Sequence, residues 1–210
     1  MSLPNAIPEY LIIFARYPTP GQVKTRLIPR LGAVGAARLY RQMAEQTLHQ
    51  ALPLTTQRPL EIGVWYTGGE AAAMAAWLGP RVAYHRQPEG DLGQRLQAAF
   101  ATAFAQGHGA VVAIGTDCPD LDAALLAEAF DHLEHHPLVL GPAQDGGYYL
   151  IGLRAPQPQL FQGIPWSSAA VLATTVERAH QLGLMPAYLA TLRDVDRPED
   201  LDPWPGLGQD

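Results

Sequence analysis

Three groups of aspartates could do chemistry in this chain: Gly115-Thr116-Asp117-Cys118-Pro119-Asp120, Asp145-Gly146-Gly147 and Asp194-Val195-Asp196. Each follows or sits beside a short apolar run of strand length, at 110–114, 138–140 and 188–192. Carboxylates at the carboxyl ends of strands can converge on the crevice above an open α/β sheet, where ligands bind. Oxygen ligands gathered in this way suit a hard cation such as Mg²⁺ or Mn²⁺, which in turn grips phosphate oxygens. A matching anion site lies near the start of the chain. Four of the 14 Lys and Arg residues (Arg16, Lys24, Arg26, Arg30) fall between positions 16 and 30, where even spacing predicts one.

The basic segment reads Ala15-Arg16-Tyr17-Pro18-Thr19-Pro20-Gly21-Gln22-Val23-Lys24-Thr25-Arg26-Leu27. Guanidinium groups can make paired hydrogen bonds to phosphate, and lysine adds a compact point charge. It is not a Walker A loop, because Val23 stands where that motif needs glycine before Lys-Thr. The bland alternative is a solvated basic loop. Asp117 is the first choice as a metal ligand; Asp120 could join it, but capping the next helix suits it better. Nothing near Cys118 is arranged to lower its pKa, so it is not read as a nucleophile. In an extended segment Asp194 and Asp196 would point the same way. One could bind metal while the other caps or orients, or both could be caps with no ligand. Asp145-Gly146-Gly147 is a turn by composition. Arg95 either reaches a phosphate or decorates its helix. His132, His135 and His136 have helical spacing but sit at the far end of a helix from Asp117, next to Pro137, and they are not read as a metal site.

These residues must be held by a scaffold, and the apolar pattern describes one. Strands are expected at 10–15, 60–66, 81–86, 110–115, 137–141, 148–153 and 185–191, with helices at 33–51, 70–78, 93–106, 122–135 and 168–182. Strand and helix alternate, which implies an α/β fold with a largely parallel sheet covered on both faces. Only a Gly-Pro-Ala-Gln-Asp-Gly-Gly loop separates 137–141 from 148–153, too short for a parallel crossover. That pair is expected to be antiparallel or not directly paired, making the sheet mixed. A length of 210 residues favours one domain, taken as 1–201, with 202–210 a loosely held tail.

Composition excludes several classes. The net charge of −6 argues against a general nucleic-acid surface. No segment approaches the roughly 20 apolar residues of a membrane span. The first residues, Met-Ser-Leu-Pro-Asn, show neither a basic nor an apolar signal region. The single cysteine excludes an internal disulfide and fits a reducing cytosol, so a cytoplasmic location is expected. A dinucleotide-binding oxidoreductase is set aside, because no Gly-x-Gly-x-x-Gly follows the first strand.

Four segments together resemble one known group: Phe14 to Leu27, Gly115 to Leu121, Gly141 to Leu153 and Asp194 to Leu201. The group is the bacterial glycosyltransferase-A-like family, and the resemblance runs from about residue 9 to 201. It implies a nucleotide-diphospho-sugar transferase fold, a Rossmann-like α/β/α sandwich with a mixed, mainly parallel sheet. More distantly similar are the guanylyltransferases of molybdenum-cofactor and phospholactate metabolism. By that resemblance Arg16, Lys24, Thr25 and Arg26 would hold the donor's phosphates, with Arg95 as a further contact. Asp117 and Asp196 would hold Mg²⁺ or Mn²⁺. Asp117, Lys24 and Asp145 would act in catalysis, and the Asp145-Gly146-Gly147 loop would line the acceptor side. Two departures are mild: the segment Trp166-Ser167-Ser168 has Ser where many relatives have Thr, and Gln94 stands where an acidic residue is common.

The expected function is metal-dependent transfer from a nucleotide donor to a small-molecule acceptor, with glycosyl transfer from a nucleotide-diphospho-sugar in front. Annotation habit in the family favours sugar transfer, whereas the Lys-Thr-Arg loop leans toward nucleotidyl transfer from a triphosphate to a phosphorylated acceptor. A third reading is a nucleotide-binding module without catalysis. Retention of all the candidate carboxylates and basic residues weighs against it.

Overall fold

The computed structural model describes residues 7–204, so the N-terminal residues read for a targeting signal and the end of the expected tail lie outside the described residues. Seven strands form one sheet in the order β3-β2-β1-β4-β6-β5-β7. They are β1 (Glu9–Arg16), β2 (Leu60–Thr67), β3 (Ala83–Arg86), β4 (Ala110–Ile114), β5 (Leu138–Pro142), β6 (Tyr148–Leu153) and β7 (Pro186–Tyr188). All neighbouring pairs are parallel except β6, which runs antiparallel to both β4 and β5. The mixed sheet is therefore as expected, and the short β5–β6 loop is the cause.

Five α-helices cover the two faces: α1 (Ile28–Ala51), α2 (Ala71–Leu78), α3 (Leu92–Ala105), α4 (Ala123–Leu133) and α5 (Val171–Gln181). The period-2 geometry of β1 divides its side chains between two cores. Leu11, Ile13 and Ala15 pack with residues of α1, α2 and α4, whereas Tyr10 and Ile12 pack with residues of α3 and α5. β4 is apolar throughout and β1 is apolar between Glu9 and Arg16 at its ends, because both faces of the sheet are covered. No helix of the described residues is long and apolar enough to cross a membrane.

Boundaries differ from expectation where local backbone intervenes. The first helix begins upstream at Ile28, but Gly32 (φ 68°, ψ 167°) breaks it, so the regular helix starts next to position 33. The last helix starts at Val171 rather than 168, because Ser167 (φ 66°) and the Ser168 turn occupy the approach. Asp120 does not cap α4. Asp122 does, accepting the Leu125 N–H at 2.8 Å, while Asp120 accepts from the Trp204 indole at 3.2 Å. β7 is short because it lies at the sheet edge; its path resumes at an isolated parallel bridge between Ala143 and Leu192.

Candidate active site

The strand order reverses around β1: β2 lies on one side and β4 on the other. A ligand crevice forms at such a switch point, beyond the carboxyl ends of the strands. The basic loop leaves the end of β1 there, and the loop carrying Asp117 leaves the end of β4.

Apolar anchors set the shape of the basic loop. Val23 and Leu27 are buried in a small core with Ala36, Leu39, Tyr40 and Met43 of α1, and Val195 and Leu201 complete it. Between the two anchors Lys24 is held at φ 46°, ψ 45°, in the left-handed region. A non-glycine residue there is strained, and such strain concentrates at functional sites. The consequence is directional. Lys24 turns inward, its side chain only 5% exposed, and its Nζ lies 2.9 Å from Asp117 Oδ1 and 4.0 Å from Asp196 Oδ1.

Asp196 arrives from the far end of the chain by the alternation expected of Asp-Val-Asp. Val195 is fully buried, and its N–H donates to the Asp117 carbonyl at 2.8 Å. That single backbone bond joins the β4 loop to the C-terminal segment. Asp196 also pairs with Arg26. Its N–H and that of Arg197 donate to Asp200 Oδ2, which fixes the segment from behind.

Asp194 looks toward other carboxylates. Burial raises it above the ordinary aspartate range, Asp145 and Asp117 raise it further, and Lys24 opposes them. Asp145 reaches this position because Gln144 N–H donates to the Leu192 carbonyl, which extends the β5–β7 pairing. The turn is tight: Asp145 Oδ1 accepts the Gly147 N–H at 2.8 Å, and Gly146 has φ 91°. A Cβ on Gly146 would run into the Ala169 carbonyl, so the loop before α5 packs directly on this turn.

Lys24, Arg26, Asp117 and Asp196 are thus brought into contact, with Asp145 beside them through Asp194. Thr25 and Arg16 are exposed at the rim. Arg95 lies in the first turn of α3, whose cap is a reciprocal pair of hydrogen bonds between Asp91 and Gln94. Its Nε is buried with no hydrogen-bond partner among the described residues, and it takes no part in the ion pairs of the Lys24 group. Cys118 is buried; burial and the Asp117 carboxylate push its thiol up, away from a nucleophilic thiolate.

Sequence reasoning missed Tyr40. Its hydroxyl accepts the Arg16 N–H at 2.7 Å and the Thr116 hydroxyl at 3.2 Å, tying the ends of β1 and β4 together beneath the crevice. Burial, then Asp117, pushes its pKa up to about 12. No pattern marked it, since Leu39 and Met43 on either side make it read as an ordinary core position.

The residues present fit a hard divalent cation. Both carboxylates offer oxygen, a compact ammonium already lies between them, and Asp117 Oδ1 is buried without an aligned hydrogen-bond donor. No group of three His, Cys, Asp or Glu among the described residues is placed to hold a metal. Such a cation would take one or two carboxylates and complete its shell with water and phosphate, as Mg²⁺ commonly does.

Comparisons with known proteins bear on the family and the fold. A family model described as "Uncharacterized protein conserved in bacteria (DUF2064)" matches residues 47–168. A crystal structure from Desulfovibrio desulfuricans G20, provisionally described as a nucleotide-diphospho-sugar transferase, is 36% identical. The match covers 93% of this chain and 85% of that one, with a TM-score of 0.86. Two more distant structures share the fold. Glucosyl-3-phosphoglycerate synthase from Mycobacterium tuberculosis, in complex with Mn²⁺, UDP and glucosyl-3-phosphoglycerate, is 15% identical, covering 96% of this chain and 76% of that one, with a TM-score of 0.56. The inositol-1-phosphate CTP transferase from T. maritima is 13% identical, covering 94% and 93%, with a TM-score of 0.57. No curated protein matches the chain in sequence.

Proposed function

The chain belongs to the bacterial DUF2064 family, and from that premise we propose that it is a metal-dependent transferase whose donor is a nucleotide-diphospho-sugar. One observation carries the reading: a strained, enclosed lysine from the β1 loop meets Asp117 and Asp196 at the switch point of the sheet. Cations and carboxylates crowded at one point suit a phosphate–metal complex better than they suit a structural role. The described transferase from Desulfovibrio supports the class.

Asp117 and Asp196 would hold the cation. When bound, it would neutralise charge growing on the leaving diphosphate. Lys24 and Arg26 add fixed positive charge on the same oxygens, where preorganised electrostatics contribute most. Arg16 guards the rim with its backbone locked by Tyr40. Asp145 would serve the acceptor side, where a carboxylate can take the proton of an attacking hydroxyl. Nucleotidyl transfer is the second reading. It is favoured by the clustering of Arg16, Lys24 and Arg26 in one loop.

The test is a thermal-shift screen with nucleotide sugars, diphosphates and triphosphates, each with and without Mg²⁺ or Mn²⁺. A ligand that binds the native state raises its melting temperature by mass action. Metal-dependent stabilisation by a nucleotide sugar or diphosphate is expected; stabilisation by triphosphates alone would move the reading to nucleotidyl transfer. With the donor found, Asp117→Asn should lower turnover at least about 100-fold while circular dichroism stays unchanged. Full turnover in that variant would overturn a metal role for Asp117.

A further inference from the structure

We infer that Lys24 serves as a resident cation: in the nucleotide-free protein its ammonium occupies the place between Asp117 and Asp196, and a donor's phosphates draw it away. The inference rests on the metal-dependent reading above and adds an order of events to it. Three observations support it. The ammonium lies 2.9 Å from Asp117 Oδ1 and 4.0 Å from Asp196 Oδ1, distances at which it excludes another ion from the gap. The Lys24 side chain is 5% exposed, against 48% for Asp117 and 34% for Asp196, so the lysine head is the enclosed partner. The backbone that aims it is held in the left-handed region between the buried anchors Val23 and Leu27, so the side chain is directed there by the loop.

The chemistry follows from competition for one pair of carboxylates. Lysine is a flexible point charge on a long stem, able to turn from a carboxylate to a phosphate without moving its backbone. While it holds Asp117, a free divalent cation must displace it or bind against its charge. A diphosphate offers Lys24 a second anionic partner and brings oxygen ligands for the metal. Metal and phosphate therefore favour each other's binding, and the coupling is reciprocal. The arrangement also keeps paired carboxylates from lying unneutralised in a half-buried site when no ligand is present.

Manganese binding separates this idea from the donor-site reading. Mn²⁺ alone is titrated into the whole protein, into Lys24→Met and into Arg26→Met, with free ion followed by electron paramagnetic resonance. Lys24→Met should bind Mn²⁺ at least about tenfold more tightly than the unaltered protein. Arg26→Met, which removes the same charge from an exposed side chain, should gain no more than about twofold, since exposed pairs are weakly coupled. Lys24→Gln, with urea melts on all variants, guards against a folding defect. Equal gains in Lys24→Met and Arg26→Met would overturn the inference, reducing it to a general charge effect. No gain in Lys24→Met, in a protein that binds Mn²⁺ together with a nucleotide, would overturn it while leaving the donor-site reading intact. Failure of every variant to bind Mn²⁺ with or without nucleotide would overturn both.

Discussion

Aspartates in this crevice have unequal surroundings, and that inequality is their chemistry. Asp117 and Asp196 face cations, whereas Asp194 faces Asp145 and Asp117 across a half-buried space. The sign for Asp194 follows from linkage. Its carboxyl holds a proton more tightly in the fold than in the unfolded chain, so its ionised form costs stability. That cost is absent well below the unfolded value of 3.8, grows as pH rises from there toward the folded value, and is full above it. Asp194→Asn should therefore raise the melting temperature at neutral pH and leave it nearly unchanged at a pH well below 3.8. Calorimetric scans at the two pH values check this; equal shifts at both would mean that ionisation is not the cause. That Asp117 stands in the crevice and that Cys118 is no activated thiol were readable from their neighbours in sequence. The division of labour between Asp194 and Asp196 was not, since alternation places both on one face and says nothing of what waits there.

At the scale of elements, the site is a junction of strand ends, and Tyr40 of α1 is its brace. Without the hydroxyl, the Arg16 N–H at the end of β1 loses its acceptor, and the Thr116 hydroxyl beside Asp117 loses one too. An unmet buried donor costs about 1–3 kcal/mol. Tyr40→Phe should thus lower stability by about that much in urea melts and lower kcat/KM as well, because the two strand ends that present Arg16 and Asp117 are no longer tied. An unchanged urea midpoint would show that the brace is dispensable. Gly32 and Ser167 make the same point about boundaries. Gly32 breaks α1 and Ser167 precedes α5, each with positive φ, one at a residue type that permits it and one at a residue type that does not advertise it.

For the molecule as a whole, stability and chemistry sit at opposite ends of β1. Glu9, at its start, is buried and receives two hydrogen bonds from Arg58, which also reaches Asp131 on α4. Those contacts, with the Glu9 bonds foremost, hold the Arg58 guanidinium's pKa well above its usual range despite partial burial. The crevice lies about 20 Å away along the strand. Arg58→Met would leave a buried carboxylate unpaired, at a cost of about 3 kcal/mol. The expected result is a lower urea midpoint with KM and kcat retained at temperatures where the protein remains folded. A large change in KM would show that the ends are coupled.

By itself the sequence determined the period of each element, the α/β class and that β5 and β6 could not be a parallel pair, because side-chain alternation and loop length are local quantities. It also marked Lys24, Asp117 and the Asp194-Val195-Asp196 segment as candidate site residues, through charge placed beside buried strands. Tertiary structure alone decided which of them meet. Val195 donating to the Asp117 carbonyl, Tyr40 spanning two strand ends and the inward turn of Lys24 are contacts between distant segments. Their geometry depends on how the core packs beneath the loops, and no spacing within a single segment encodes it.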